Sequence, residues 1–194
     1  MDATVLLVMD VQRGIVERFA DDPGYLQRLS AAITAARAAA IPVVYVTIGF
    51  RAGYPEISSR NATFAAIAAS GGFAAGSPAT EVHPAVAPQP GDLLVTKRRV
   101  SAFTGSDLQV VLRSLGAGTL VLTGIATSGV VLSTLRQAAD LDYRLVVLSD
   151  GCLDADPEVH RVLTEKVFPR QAAVRTVAQW AAQPAHGRSD GSQP

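Results

Sequence analysis

The stretch Leu120-Val121-Leu122-Thr123-Gly124-Ile125-Ala126-Thr127-Ser128-Gly129-Val130-Val131 decides the fold. Its first four residues form a short apolar run bounded by glycine, the signature of a strand buried on both faces. Residues 123–131 then read as a strand end, a tight turn and the start of a helix. Working outward, Val5-Leu6-Leu7-Val8-Met9, Val43-Val44-Tyr45-Val46-Thr47 and Leu145-Val146-Val147-Leu148-Ser149 are runs of the same kind, and Leu93-Leu94-Val95-Thr96 is a further strand. Between them apolar residues recur at helical spacing: Leu26, Leu29, Ile33 and Ala36; Leu108, Val111, Leu112 and Leu115; Val131, Thr134, Leu135 and Ala138. Strands alternating with helices, joined by short turns such as Gly116-Ala117-Gly118, predict an α/β fold with a mostly parallel sheet covered by helices on both faces.

The chain has 194 residues, 48% of them hydrophobic, which suits one domain with a single folded unit over residues 1–182. Residues 183–194 lack core side chains and are expected to be disordered. Seventeen basic and 17 acidic residues cancel, so there is no global field to hold nucleic acid or an anionic membrane, and partners are expected to be small molecules or protein. A single cysteine excludes an internal disulfide and every multi-cysteine metal site. The opening MDATVLLVMDVQRG has no basic n-region and reaches an aspartate after a short apolar run, so neither a signal peptide nor a membrane span is read there and a cytoplasmic location is expected. Residues 49–91 are rich in Pro, Gly, Ser and Ala, a long excursion that serves either to cover a pocket or to contact another subunit. A last helix is expected to begin at Asp156-Pro157, an N-cap carboxylate before a proline.

Asp10 follows five apolar residues and so stands at the carboxyl end of the first strand, the ligand end of a doubly wound sheet. There it can act as a general acid or base if desolvated, or merely cap the next helix. Lys97 holds the equivalent place on its own strand and can neutralise Asp10, the alternative being a surface lysine. Arg98 and Arg99 add charge beside it, one of them expected to face solvent. The turn at 126–129 offers backbone N–H groups for an anion or oxyanion, with Thr127 or Ser128 as the alternative helix N-cap. Ser128 has little support as a nucleophile, because His83, His160 and His186 lie in the excursion, the last helix and the tail. Cys152, the only cysteine, reads as a packed hydrophobe.

LLVMDVQ, VTKRRVSAFTGSDLQVVLRSLG and LTGIATSGVVLSTLRQAADLDYRLVVLSDGC, in that order, resemble the isochorismatase-like superfamily of cysteine hydrolases from about Val5 to about Val177. The resemblance implies a three-layer α/β/α Rossmann-like sandwich, a homodimer or higher homo-oligomer, and a cis peptide bond at Ile125-Ala126. In amidase members it assigns an Asp, Lys, Cys triad. Asp10 and Lys97 match the first two positions, and Val130 stands at the third, so no thioester can form. Thr47-Ile48-Gly49-Phe50-Arg51 lacks the family's Asp and His metal motif, so neither metal nor other cofactor is implied.

The cysteine-less isochorismatases resemble this arrangement more closely. The reaction they imply is acid hydrolysis of a vinyl ether on a small carboxylated metabolite, with Asp10 as general acid/base and Lys97 as its electrostatic partner. The alternatives are a catalytically silent binding or assembly protein with this fold, and an amidase with a displaced serine nucleophile. Arg51, with Arg60, is a candidate to hold a substrate carboxylate. Phe19, Phe50, Tyr54 and Phe103 are candidate walls for a ring, and Ala126, Thr127, Ser128, Gly129 and Val130 complete the expected substrate-binding set.

Overall fold

The computed structural model describes residues 2–19 and 22–182, and the tail expected at 183–194 lies outside them. Along β1 (Ala3–Met9), Val5, Leu7 and Met9 enter one core while Leu6 and Val8 enter another, the period-two alternation of a strand buried on both faces. The same split recurs in β2 (Val43–Ile48) and β4 (Ala117–Ile125), where Val44, Val46, Leu120 and Leu122 join the first core and Val43, Tyr45 and Val121 the second. Two helices, α4 (Leu108–Ser114) and α5 (Leu132–Asp140), close the first core through Leu108, Leu112, Leu135 and Ala138. The second core is closed by α2 (Tyr25–Ala38) and α7 (Val177–Ala181) through Leu29, Ala32, Ile33, Ala36 and Val177. The result is the expected three-layer α/β/α sandwich. With β3 (Leu93–Lys97), β5 (Arg144–Leu153) and β6 (Ala173–Arg175), the sheet has six strands in the order β3-β2-β1-β4-β5-β6, every pair parallel.

Several local expectations need correction. The fourth long run does not stop at Ser149: after a register shift opposite Leu122 and Gly124, β5 pairs again at Gly124 with Cys152 and at Ile125 with Leu153, so Cys152 is inside the strand. The turn before β4 is Leu115-Gly116, with Gly116 at φ +63°, since Ala117 already pairs with Ala3. The excursion is also more ordered than its composition indicates. It contains α3 (Ala62–Ala69), whose N-cap Asn61 accepts a bond from the Phe64 N–H, and Ile48, Phe50, Phe64 and Phe73 make a satellite core beneath it. An almost uniformly apolar ATFAAIAA has no period to reveal, which is why the helix was invisible in the pattern.

The last helix starts where the sequence places it. Asp156 caps α6 (Pro157–Val162) by accepting from the N–H groups of Glu158 and Val159. Asp156→Ala is expected to cost about 1 kcal/mol, read as a melting temperature lower by roughly 2–4 °C. A short α1 (Arg13–Val16) follows β1. Among the described residues no helix is long and apolar enough to cross a membrane.

Candidate active site

The strand order reverses between β1 and β4, and the crevice at their carboxyl ends is where an open α/β sheet places its ligand. Asp10 leaves β1 there with φ +56°, a left-handed conformation that aspartate tolerates better than most residues, and its N–H donates to the Val46 carbonyl at 2.8 Å. Lys97 ends β3, two strand spacings away, roughly 10 Å. Only a long flexible cation can cross the end of β2 to reach Asp10. The Lys97 Nζ does so, lying 2.9 Å from Asp10 Oδ2 and donating to the Arg99 carbonyl at 2.9 Å.

Asp10 is 6% exposed and Lys97 1%, so neither the helix-cap nor the surface-lysine alternative describes them. Asp10 Oδ1 is buried, and among the described residues it has no hydrogen-bond partner. Burial raises the Asp10 pKa and Lys97 lowers it, and burial is the larger effect. The carboxyl group therefore has one oxygen fixed by a cation and a second free to give or take a proton, with a pKa held above its ordinary value by burial. Gln12 supports it from below notice. Fully buried, its amide accepts from the Ile48 N–H at 2.8 Å and donates to the Ile48 and Thr80 carbonyls at 2.9 Å, pinning the end of β2 and the excursion to the segment after Asp10. Its place at the end of LLVMDVQ carries no sign of this role, because the Ile48 and Thr80 groups it bonds come 36 and 68 residues later.

The Ile125-Ala126 peptide bond is cis, as the resemblance implied. A five-residue π turn, Thr127–Val131, then leads into α5. Neither Thr127 nor Ser128 caps the helix. Thr127 Oγ1 lies 2.8 Å from His160 Nδ1, and the Ser128 N–H donates to Asp154 Oδ2 at 2.6 Å, so an amide expected to receive a ligand anion already holds the chain's own carboxylate. The Ser128 side chain is exposed and its hydroxyl bonds neither Asp10 nor Lys97, which removes the geometry a displaced serine nucleophile requires. Val130 is 2% exposed and packs in the same core as Met9 and Phe103. Cys152 is the packed hydrophobe expected: burial pushes its thiol up to about 12.

Other candidates are not brought to the pair. Arg51 lies exposed with its guanidinium 2.9 Å from Glu56, and Arg60 is exposed as well. Phe50 is fully buried against Phe64 and Tyr54, and Phe103 stacks on Tyr143 at 6.2 Å, so both are core residues rather than pocket walls. Neither Arg98 nor Arg99 is free in solvent. Arg98 bonds Glu56 and the Gly49 carbonyl, and Arg99 donates to the Glu56 carbonyl and lies over the Phe64 ring. Phe19 lines a cleft beside the end of β5.

A family model described as the isochorismatase domain matches residues 4–179. The chain belongs to the isochorismatase family. An uncharacterized isochorismatase family protein, YecD of Escherichia coli O157:H7, is 34% identical over 187 residues, covering 91% of this chain and 93% of its own length. The ureidoacrylate amidohydrolase RutB of Stutzerimonas stutzeri is 32% identical over 201 residues, covering 90% of this chain and 75% of its own. Among solved structures, a cysteine hydrolase from Pseudomonas syringae pv. phaseolicola 1448A superposes with a TM-score of 0.84 at 24% identity, over 92% of this chain and 90% of that one, a likeness of fold. This isochorismatase-family chain is a hydrolase. Its single cysteine lies in β5 and not on the turn.

Proposed function

We propose that this hydrolase cleaves a vinyl ether on a small carboxylated metabolite by acid catalysis, without a covalent intermediate. The observation that carries the reading is the Asp10 carboxyl group: buried, held through Oδ2 by Lys97, unpartnered at Oδ1, and raised in pKa by burial. In its protonated form it delivers the Oδ1 proton to the enol-ether carbon. The resulting oxocarbenium ion takes up water, the hemiketal collapses to an alcohol and a carbonyl product, and the proton lost by the added water restores Asp10. Lys97 fixes the rotamer of the acid and stabilises its conjugate base. Valine at position 130 leaves water as the nucleophile, since among the described residues no thiol or hydroxyl is bonded to the pair.

Isochorismate is the probe, with pyruvate release as the readout, for the wild type beside Asp10→Asn. The wild type is expected to turn over and the variant to be at least about 100-fold slower, the scale of losing general acid catalysis. Because the acid must be protonated, the wild-type rate should fall as pH rises through the Asp10 pKa, which lies above its ordinary 3.8, and this limb should be missing in Asp10→Asn. No turnover by the wild type would overturn the vinyl-ether reading.

The amidohydrolase among the relatives favours a second reading, an amide attacked directly by water with Asp10 as base. That reading has the opposite sign: ureidoacrylate hydrolysis would rise with pH through the same pKa.

A further inference from the structure

A cleft of about 430 Å³ lies between Arg18, Phe19 and Asp22 on one side and the segment running from β5 into α6 on the other, and neither Asp10 nor Lys97 lines it. That volume is in the range of small-molecule sites, roughly 300–1,000 Å³. Phe19, Leu153 and Pro157 give it apolar walls. Its three described carboxylates are already engaged. Asp22 is bonded by Arg28; Asp150 accepts from the Val177 N–H at 2.7 Å and lies 4.0 Å from Arg28; Asp154 accepts from the N–H groups of Ser128 and Asp156.

The remaining charge in the lining is Arg18. Among the described residues no carboxylate lies within 4.0 Å of it, and its guanidinium sits 5.8 Å from the Phe73 ring centroid, so its hydrogen-bonding edge is unspent. His160 contributes a neutral donor or acceptor. Its Nδ1 is taken by Thr127, burial lowers its pKa against the opposing pull of Asp154, and among the described residues nothing bonds Nε2.

We propose that this cleft binds a small cyclic carboxylic acid, its carboxylate against Arg18, its ring among Phe19, Leu153 and Pro157, and a ring hydroxyl on His160. This site goes beyond the reaction proposed for Asp10 and does not depend on it. Both Thr127 and Ser128 are tied to cleft residues, His160 and Asp154, so a ligand there touches the groups that hold the turn after β4.

The test is calorimetric titration of the full-length protein with 4-hydroxybenzoate, benzoate and benzylamine, for the wild type, Arg18→Gln, His160→Ala and Asp10→Asn. One saturable site for 4-hydroxybenzoate is expected, weakened about tenfold or more in Arg18→Gln, the scale of one charge-assisted bond. Benzoate should bind more weakly than 4-hydroxybenzoate in the wild type and equally in His160→Ala, a difference that a purely structural histidine would not produce. Asp10→Asn should bind like the wild type whatever its turnover. Absence of saturable binding, tighter binding of benzylamine, or loss of binding in Asp10→Asn but not in Arg18→Gln would each overturn the proposal. Arg18 is exposed, so its substitution leaves the core intact and the arginine variant remains interpretable.

Discussion

Lys97→Met is expected to lower the unfolding free energy at neutral pH by about 3–5 kcal/mol, the scale of removing one partner from a buried ion pair. For a chain of this length that is roughly 6–20 °C in melting temperature. The methionine fills much of the volume of the lysine stem, so the loss is electrostatic: Asp10 keeps a buried carboxylate whose Oδ1 already lacks a partner and whose Oδ2 then loses the cation at 2.9 Å. The pH dependence has a definite sign. Asp10 is raised in the folded state, so the folded chain binds more protons between the unfolded and folded pKa values, and stability falls as pH rises through that window. Removing Lys97 removes the one influence that lowers the Asp10 pKa in proportion to charge, so the window extends upward. The deficit should be largest at neutral pH and shrink on acidification, as Asp10 becomes neutral. The double variant Asp10→Asn/Lys97→Met should regain much of the loss, because no buried charge remains. Urea denaturation at several pH values checks all three statements, and a pH-independent deficit would show that packing rather than charge is at stake.

Gly124→Ala is the second large effect, at about 2–6 kcal/mol from backbone strain and overpacking together. Gly124 has φ +135°, a conformation that side chains rarely adopt, and a Cβ there would stand 2.1 Å from the Met9 carbonyl oxygen. The obstacle is backbone, so no rotamer change relieves it. Met9 must move, and with it Asp10, the next residue. Turnover should therefore fall along with stability, whereas Gly116→Ala, at φ +63° with nothing within 4 Å, should cost only the backbone strain and leave turnover unchanged. Equal effects of the two substitutions on turnover would show that the close approach at Met9 does not position Asp10.

Much of this was legible from residue order. Apolar runs of strand length alternating with helical spacing required a layered parallel sheet, because each run is apolar on both faces and must be covered twice. Asp10 and Lys97 were legible because each directly follows or ends such a run, and strand ends in this architecture converge on the ligand side. That the Ser128 N–H of the 126–129 turn is already taken by the Asp154 carboxylate was not, because Asp154 comes 26 residues later and no local pattern announces it. Phe50 and Phe103 misled for a related reason: an aromatic near a strand end looks the same in sequence whether it faces a cleft or a core. Local patterns of hydrophobicity fix which segments are strands and in what chemistry each ends, since those depend on a residue and its near neighbours. Which carboxylate keeps a free oxygen, which arginine is spent on an acid and which aromatic borders open space depend on partners tens of residues away, and only packing of the whole chain brings those partners together.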